Sequence, residues 1–438
     1  MNRRALVGWL LAACWTIPAP AQFGGFGGPS ILSRGGGAPG RSGGRPLSFR
    51  PFAGVSSGYF TGLTSRDKLE ETSEFGWLAN FGAVLNTTGK RDFGSLDYRG
   101  NYTGLKDAST FGGNNHFLNA NYGRQLSPHF TMFLSTSASY ISYISGGAFN
   151  RFSDNPTAQL ASPSTNLFDS KMFNLSTAAG FTYQKSARLV FSGSGFGFTS
   201  RFKDPRLVDT DGYGAQGSVS YYLSRHQSVG ASYNYSSYTH KNSFGESYIN
   251  NAMFTFARTV SPRWRVDLAG GLFQVESERL VQVKVDPVIA AITGQTAVIE
   301  AFHGTNHGVS ANLEISGRFA RSGVSLSYHR GVSPGNGAYL TSVQDVGTLS
   351  YSYTGIRYWN IGANSTYSRM NAINSGGTFT YVGVGGGATR RLTSVIHFVA
   401  QVNMLHSVND SRAAFRHDRF MATVGINFAP GDMPLPLF

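Results

Sequence analysis

The sequence predicts an all-β chain that crosses a membrane as an antiparallel up-and-down β-barrel of about 18 strands, within a range of roughly 16 to 18. Three observations carry that prediction. Side chains alternate with a period of two, as in Phe173, Leu175, Thr177, Ala179, Phe181 and Tyr183 against Asn174, Ser176, Ala178, Gly180 and Thr182. Successive side chains of a strand point to opposite sheet faces, so this period means strand. The second face carries Ser, Gly, Asn and Thr rather than Lys and Glu, and only 14% of residues are charged, against roughly 25% in an ordinary soluble protein. After the first 20 residues, no stretch is apolar over the roughly 18 positions that a spanning helix needs.

The chain opens on Met1-Asn2-Arg3-Arg4, an apolar run from Ala5 to Trp15, and small residues ending in Ala19-Pro20-Ala21. Charged, apolar and Ala-x-Ala regions in that order make residues 1–21 a secretory signal peptide. Leu11-Ala12-Ala13-Cys14 offers a competing lipoprotein-type cleavage that would leave Cys14 lipidated. Cleavage after Ala21 instead removes the single Cys, and with it any disulfide or thiolate chemistry. Residues 22–48 are Gly-rich with scattered Arg and Pro, the composition of a flexible tether. Residues 49–430 hold the barrel and 431–438 a C-terminal tail.

Within the barrel, rows of one parity are apolar. Phe75, Trp77, Ala79, Phe81, Ala83 and Leu85 face Asn80, Gly82 and Asn86; Val309, Ala311, Leu313, Ile315 and Phe319 oppose Ser310, Asn312, Glu314, Ser316 and Arg318. Near the end, Ile396, Phe398, Ala400, Val402 and Met404 alternate with His397, Gln401 and Asn403, and Phe420, Ala422, Val424, Ile426 and Phe428 form the last row. A charge on these rows would cost a few kcal/mol at the bilayer midplane, and they carry none. Short connections at 126–129, 185–187, 224–226, 261–263, 320–322 and 390–393 alternate with longer ones. Short turns are periplasmic in such barrels, which puts both termini in the periplasm and requires an even strand number. The long connection at 145–169 reads as an irregular loop. The one at 276–303 reads as a projecting hairpin built from residues 280–285 and 296–302. Tyr221, Tyr222, Tyr233, Tyr235, Tyr238, Tyr351, Tyr353, Tyr358, Trp359 and Tyr367 lie near strand ends, where amphipathic rings anchor at headgroup level.

The formal charge of +14 is dispersed along the sequence, without the dense Lys/Arg runs and interleaved aromatics that would bind nucleic acid. Arg matches phosphate as a bidentate fork, so the expected partners of this excess are outer-membrane lipid and lipopolysaccharide phosphates.

The last strand, Arg419-Phe420-Met421-Ala422-Thr423-Val424-Gly425-Ile426-Asn427-Phe428, resembles the terminal strand read by the barrel-assembly machinery. From Pro51 to Phe428 the chain resembles outer-membrane β-barrel proteins of Gram-negative-type bacteria. Around Gly331-Val332-Ser333-Pro334-Gly335-Asn336-Gly337 and Ser350-Tyr351-Ser352-Tyr353-Thr354-Gly355 it is similar to barrels of acidobacteria. The resemblance implies an outer-membrane location and an assembly signal at Phe420, Gly425 and Phe428 or at Phe438. It departs from the family in residues 429–437, which separate the last strand from Phe438 and include Pro434 and Pro436, unable to donate to a ladder.

Catalytic and metal sites are not expected, nor is a cofactor. His303 and His307 would lie on one side of a strand about 13 Å apart, too far for one ion. Asp410 near His406 and His417 matches no barrel-hydrolase spacing. The Gly runs at 193–197 and 383–387 lack the Lys-Ser/Thr and helix of a phosphate loop. The inward face is expected to include Asp97, Arg99, Arg265, Asp267, Glu314, Arg318, His329 and His397, set either to tune a pore or to pair across it. The resulting expectation is a porin-like passive channel for small hydrophilic solutes, weakly anion-preferring. By the resemblance to general porins, loop 145–169 would narrow the pore. The alternative is a closed or plugged barrel acting as a scaffold or adhesin through its loops.

Overall fold

The computed structural model describes residues 47–430 apart from 65–70, 106–112, 143–170, 206, 242–244, 285–296, 336, 338–339, 374–376 and 410–414. The expected signal peptide, the expected tether up to residue 46, loop 145–169 and the tail with Phe438 therefore lie outside the described residues.

Eighteen strands follow one another: β1 Leu47–Thr64, β2 Glu71–Thr88, β3 Asp92–Leu105, β4 Gly113–Ser127, β5 Phe130–Ile141, β6 Met172–Gln184, β7 Leu189–Phe202, β8 Asp209–Ser224 and β9 Gln227–Lys241. The second half comprises β10 Glu246–Ser261, β11 Trp264–Lys284, β12 Ala297–Arg318, β13 Ser322–Ser333, β14 Ser342–Tyr353, β15 Trp359–Ala372, β16 Thr378–Arg391, β17 Ile396–Asn409 and β18 Phe415–Phe428. Each pairs antiparallel with its sequence neighbours, and β1 pairs with β18 from Ala53↔Phe428 to Thr61↔Phe420. The sheet is a closed barrel, which leaves no edge strand.

Parity sets the two faces. The outer face exposes Phe75, Phe254, Leu272, Val309, Met404 and Val424 all around the ring, Phe75 by 72% and Leu272 by 68%. A continuous apolar wall of this kind is stable only against lipid. Polar inner-face residues bond across neighbouring strands, Asn115 to Asn101 (3.0 Å) toward the long-loop end and, further down, Ser135 to Asn121 (2.7 Å), Ser137 with Ser176 (2.8 Å), Ser192 with Ser218 (2.6 Å) and Ser310 to Asn251 (2.7 Å). Ser and Asn are suited to this because each supplies both donor and acceptor.

The eight short connections, β2–β3 through β16–β17, gather at one rim together with the start of β1 and the end of β18. Several are tightened by a hydroxyl accepting from the backbone two residues on: Ser127 from His129 N–H (3.3 Å), Ser186 from Arg188 (3.2 Å), Ser224 from His226 (3.2 Å), Ser261 from Arg263 (3.3 Å) and Thr393 from Val395 (3.3 Å). Ser and Thr hold a turn this way without needing an unusual backbone. At the opposite, long-loop end β11 and β12 run well past their neighbours, pairing from Trp264↔Gly317 to Lys284↔Ala297.

The topology corrects the reading of the charge as dispersed. Lys90 and Arg91, Lys185 and Arg188, Arg225, Arg263, Arg318 and Arg321, Arg357, and Arg391 all fall in the short connections or on the strand residues beside them, where Asp92 is the one acid. Among the described residues, the short connections and the strand residues beside them thus hold ten cations against one anion.

Candidate functional site

The interior is built from the inward parity of every strand. Asp97 and Arg99 sit mid-strand on β3, on the side opposite exposed Leu96 and Tyr102, and pair with each other (2.6–2.7 Å). Arg265 and Asp267 pair on β11 (2.7 and 3.0 Å) near the short-turn rim. Glu314 lies directly across from Asp267, and Arg318 ends the same β12 row. Thus Arg265, Asp267, Glu314 and Arg318 form one cluster, while Asp97 and Arg99 lie on another arc of the ring. His329 stands across from Asn312 on the inward side of β13, and His397 is buried at the short-turn end of β17. Each pair consists of residues two apart on one strand face, held by a bidentate fork, so the charges partly neutralise each other locally.

Toward the long-loop end the inner face changes character. Phe60, Leu78, Leu105, Met370, Phe379, Tyr381, Leu405 and Met421 pack together across β15–β18 and β1–β3. Phe117, Ile141 and Met172 pack with Phe202 along β4–β7, and Tyr238, Ile249, Phe273 and Val275 with Phe198, Val332, Val343 and Ile373. These side chains form an inward apolar collar. Phe60, Ile141, Met370 and Met421 are among its fully buried members. The sequence carries its signal as apolar doublets at the long-loop ends of strands, Tyr59-Phe60, Trp77-Leu78, Phe117-Leu118, Tyr140-Ile141 and Met172-Phe173, where strict alternation breaks. Tyr238, expected in the headgroup girdle, belongs to this collar and is 7% exposed. Its even parity on β9 points inward, opposite exposed Tyr233.

One hairpin leans across this mouth. β12–β13 pairing stops at Ala311↔Arg330, whereas β13–β14 pairing continues to Ser333↔Ser342, so the hairpin tip leaves the wall. Gly335 and Gly337 adopt φ of +91° and +83°, a left-handed backbone open to glycine. A Cβ on Gly337 would lie 2.8 Å from the Phe202 ring and 3.2 Å from Leu207. That close approach lets the Gly337 carbonyl accept from Val208 N–H (2.9 Å), joining the tip to the β7–β8 connection. At the hairpin's return, Thr341 Oγ1 donates to Ser247 Oγ of β10 (2.6 Å) and lies 3.3 Å from His240 Nε2 of β9, whose Nδ1 meets Thr210 Oγ1 of β8 (3.1 Å). The Thr341 carbonyl accepts from Ile373 N–H (3.2 Å). Strands spaced about 4.8 Å apart and tilted about 40° occupy roughly 6 Å of circumference each. A hydrogen-bonded chain joining β8, β9 and β10 to the β13–β14 hairpin thus bridges several strand widths of open ring.

On the outer face near the long-loop end, Arg330 pairs with Asp345 (3.0 Å), which also accepts from the Tyr328 hydroxyl (2.7 Å). Asp211 takes Arg201 (2.6 Å) and Lys241 (2.7 Å). His303 pairs with Glu278 (3.1 Å), and His406 with Asp418, on outward parity. Among the described residues no group of three His, Cys, Asp or Glu comes together.

No family model matches this chain, and no curated protein matches it. Among solved structures it is similar to OccAB3 of Acinetobacter baumannii, at 10% identity and TM-score 0.40, over 87% of this chain and 99% of that one. It is also similar to a BenF-like porin from Pseudomonas fluorescens Pf-5 (10%, TM-score 0.42, 88% and 98%) and to the ferric citrate transporter FecA in its unliganded form (11%, TM-score 0.44, 91% and 67%).

Proposed function

We propose that this barrel lies in an outer membrane with its short-turn rim and both termini on the periplasmic side, and conducts small hydrophilic solutes passively. The observation that carries this reading is the ring of 18 strands with a polar, charge-bearing inner face and an apolar outer one. Eighteen strands enclose a lumen wide enough for water. Among the described residues the β13–β14 hairpin and the apolar collar narrow it at the long-loop end. The Arg265 and Arg318 side of the lumen, with the basic rim beneath it, gives weak anion preference. Planar-bilayer recording on the protein carrying Thr341→Cys and Ser247→Cys, whose hydroxyls are 2.6 Å apart, tests this. Conductance steps that shrink on oxidation and recover with a thiol reductant are expected. No steps in either state would sink the channel reading.

The close packing of the collar favours a second reading, a closed barrel whose working part is the projecting β11–β12 hairpin. A silent bilayer together with intact heat-modifiable folding on a gel would favour it.

A further inference from the structure

We propose that the short-turn rim is a docking surface for the phosphates of anionic glycerophospholipids. The chain brings its cations to this rim from connections far apart in sequence, and among the described residues ten of them, with Arg390 one residue further along β16, share it with one carboxylate. Like charges held this close repel one another, and a polyanion in contact with them removes the repulsion.

The rim has a built centre between the β14–β15 and β16–β17 turns. Tyr358 is held at φ +67°, an uncommon conformation for a residue with a Cβ. The Arg357 guanidinium lies 4.7 Å from its ring centroid and that of Arg391 5.4 Å, while Arg390 stacks 5.5 Å from Trp359. Two guanidiniums on one ring are within roughly 10 Å of each other, about one Debye length at moderate salt. Among the described residues none of the three has a carboxylate partner. Their planar donors are fixed by the rings and remain available to take phosphate in a bidentate fork.

The neighbours of these cations point to a lipid rather than a soluble polyanion. Ile356 and Leu392 sit in the same two turns, Leu223 and Val260 beside the β8–β9 and β10–β11 turns of the same rim, and each is about half-exposed. Cations alternating with exposed aliphatic side chains at the edge of an apolar wall match the boundary between acyl chains and headgroups.

The test is lipid retention by the purified barrel in detergent, read by native mass spectrometry with phosphatidylglycerol, phosphatidylcholine and lipid A offered separately. Phosphatidylglycerol should be held in preference to phosphatidylcholine, and raising salt to about 0.5 M should strip it. Arg357→Gln, Arg390→Gln and Arg391→Gln together should lower its retention at least about tenfold. The three Lys replacements should restore part of it, and Arg369→Gln at the opposite end should leave it unchanged. Equal retention of the two phospholipids, salt-insensitive retention, full retention in the triple Gln variant, or stronger retention of lipid A than of phosphatidylglycerol would each overturn the proposal.

Discussion

Thr341 is where one hydroxyl and one carbonyl tie together β9, β10 and the β15–β16 connection, through His240, Ser247 and Ile373. Its value lies in geometry, because a neutral hydrogen bond contributes only about 1 kcal/mol net. Thr341→Val keeps the shape and removes the donor. It should raise channel conductance or opening frequency in planar bilayers while leaving the heat shift on a gel unchanged; unchanged recordings would mean that Thr341 does not hold the hairpin across the mouth. Gly337→Ala forces a Cβ into the left-handed region, at roughly 1–2 kcal/mol, and against Phe202 and Leu207. The tip should then be cut faster by added protease than in the parent chain. The inward placement of Asp97, Arg99, Arg265 and Glu314 follows from parity alone, since the opposite parity is filled by lipid-facing side chains. The collar did not emerge in the same way. At the long-loop ends both parities are apolar, so Phe60 beside Tyr59 and Ile141 beside Tyr140 read as strand ends until the folded barrel packs Phe60 with Leu78 and Met421, and Ile141 with Phe117 and Met172.

At the level of elements, each strand is a two-sided ribbon whose register is protected by the solvent difference across it, since a slip of one residue would turn its apolar row inward. Leu272 lies in such a row on β11 and exposes 68% of its surface outward. Leu272→Arg should cost about 2–4 kcal/mol in a denaturant titration in bilayers; a near-zero effect would move this part of β11 out of the apolar zone. At the β1–β18 seam a Cβ on Gly425 would lie 2.2 Å from Ser56 Oγ and 2.4 Å from the Val55 carbonyl. Gly425→Val should therefore lower the folded, heat-modifiable fraction, whereas Phe428→Ala, on the exposed side, should leave closure largely intact. The short turns were legible because Ser, Pro and Arg punctuate them. The inward lean of the β13–β14 hairpin was not, because it depends on β13 parting from β12 beyond Arg330 and on partners in β7–β10 remote in sequence.

For the whole molecule, charge is the property that topology rearranges most. Along the sequence the cations are scattered, and antiparallel order then sends alternate connections to one rim, so scattered becomes gathered. Selectivity should feel this: Arg265→Gln with Arg318→Gln should shift the reversal potential in a salt gradient toward cations, and an unaltered potential would separate the inner charges from conduction. The class of fold was legible because lipid imposes one rule on every strand; the mouth was not, because parts of its packing join strands remote in sequence, β15–β18 to β1–β3 across the seam and the β13–β14 hairpin to β9–β11. The seam adds an order of events. β1 and β2 pair from Leu47↔Thr87 to Thr64↔Glu71, yet β1 and β18 meet only from Ala53↔Phe428 to Thr61↔Phe420. Among the described residues only the β12–β13 junction, from Ala311↔Arg330 to Arg318↔Gly323, is shorter, and the β1–β18 junction is the one between the first and last strands to be synthesised. A chain lacking residues 415–428 is consequently an open sheet with two long unpaired edges, prone to pair with other copies, and closure waits on the final strand.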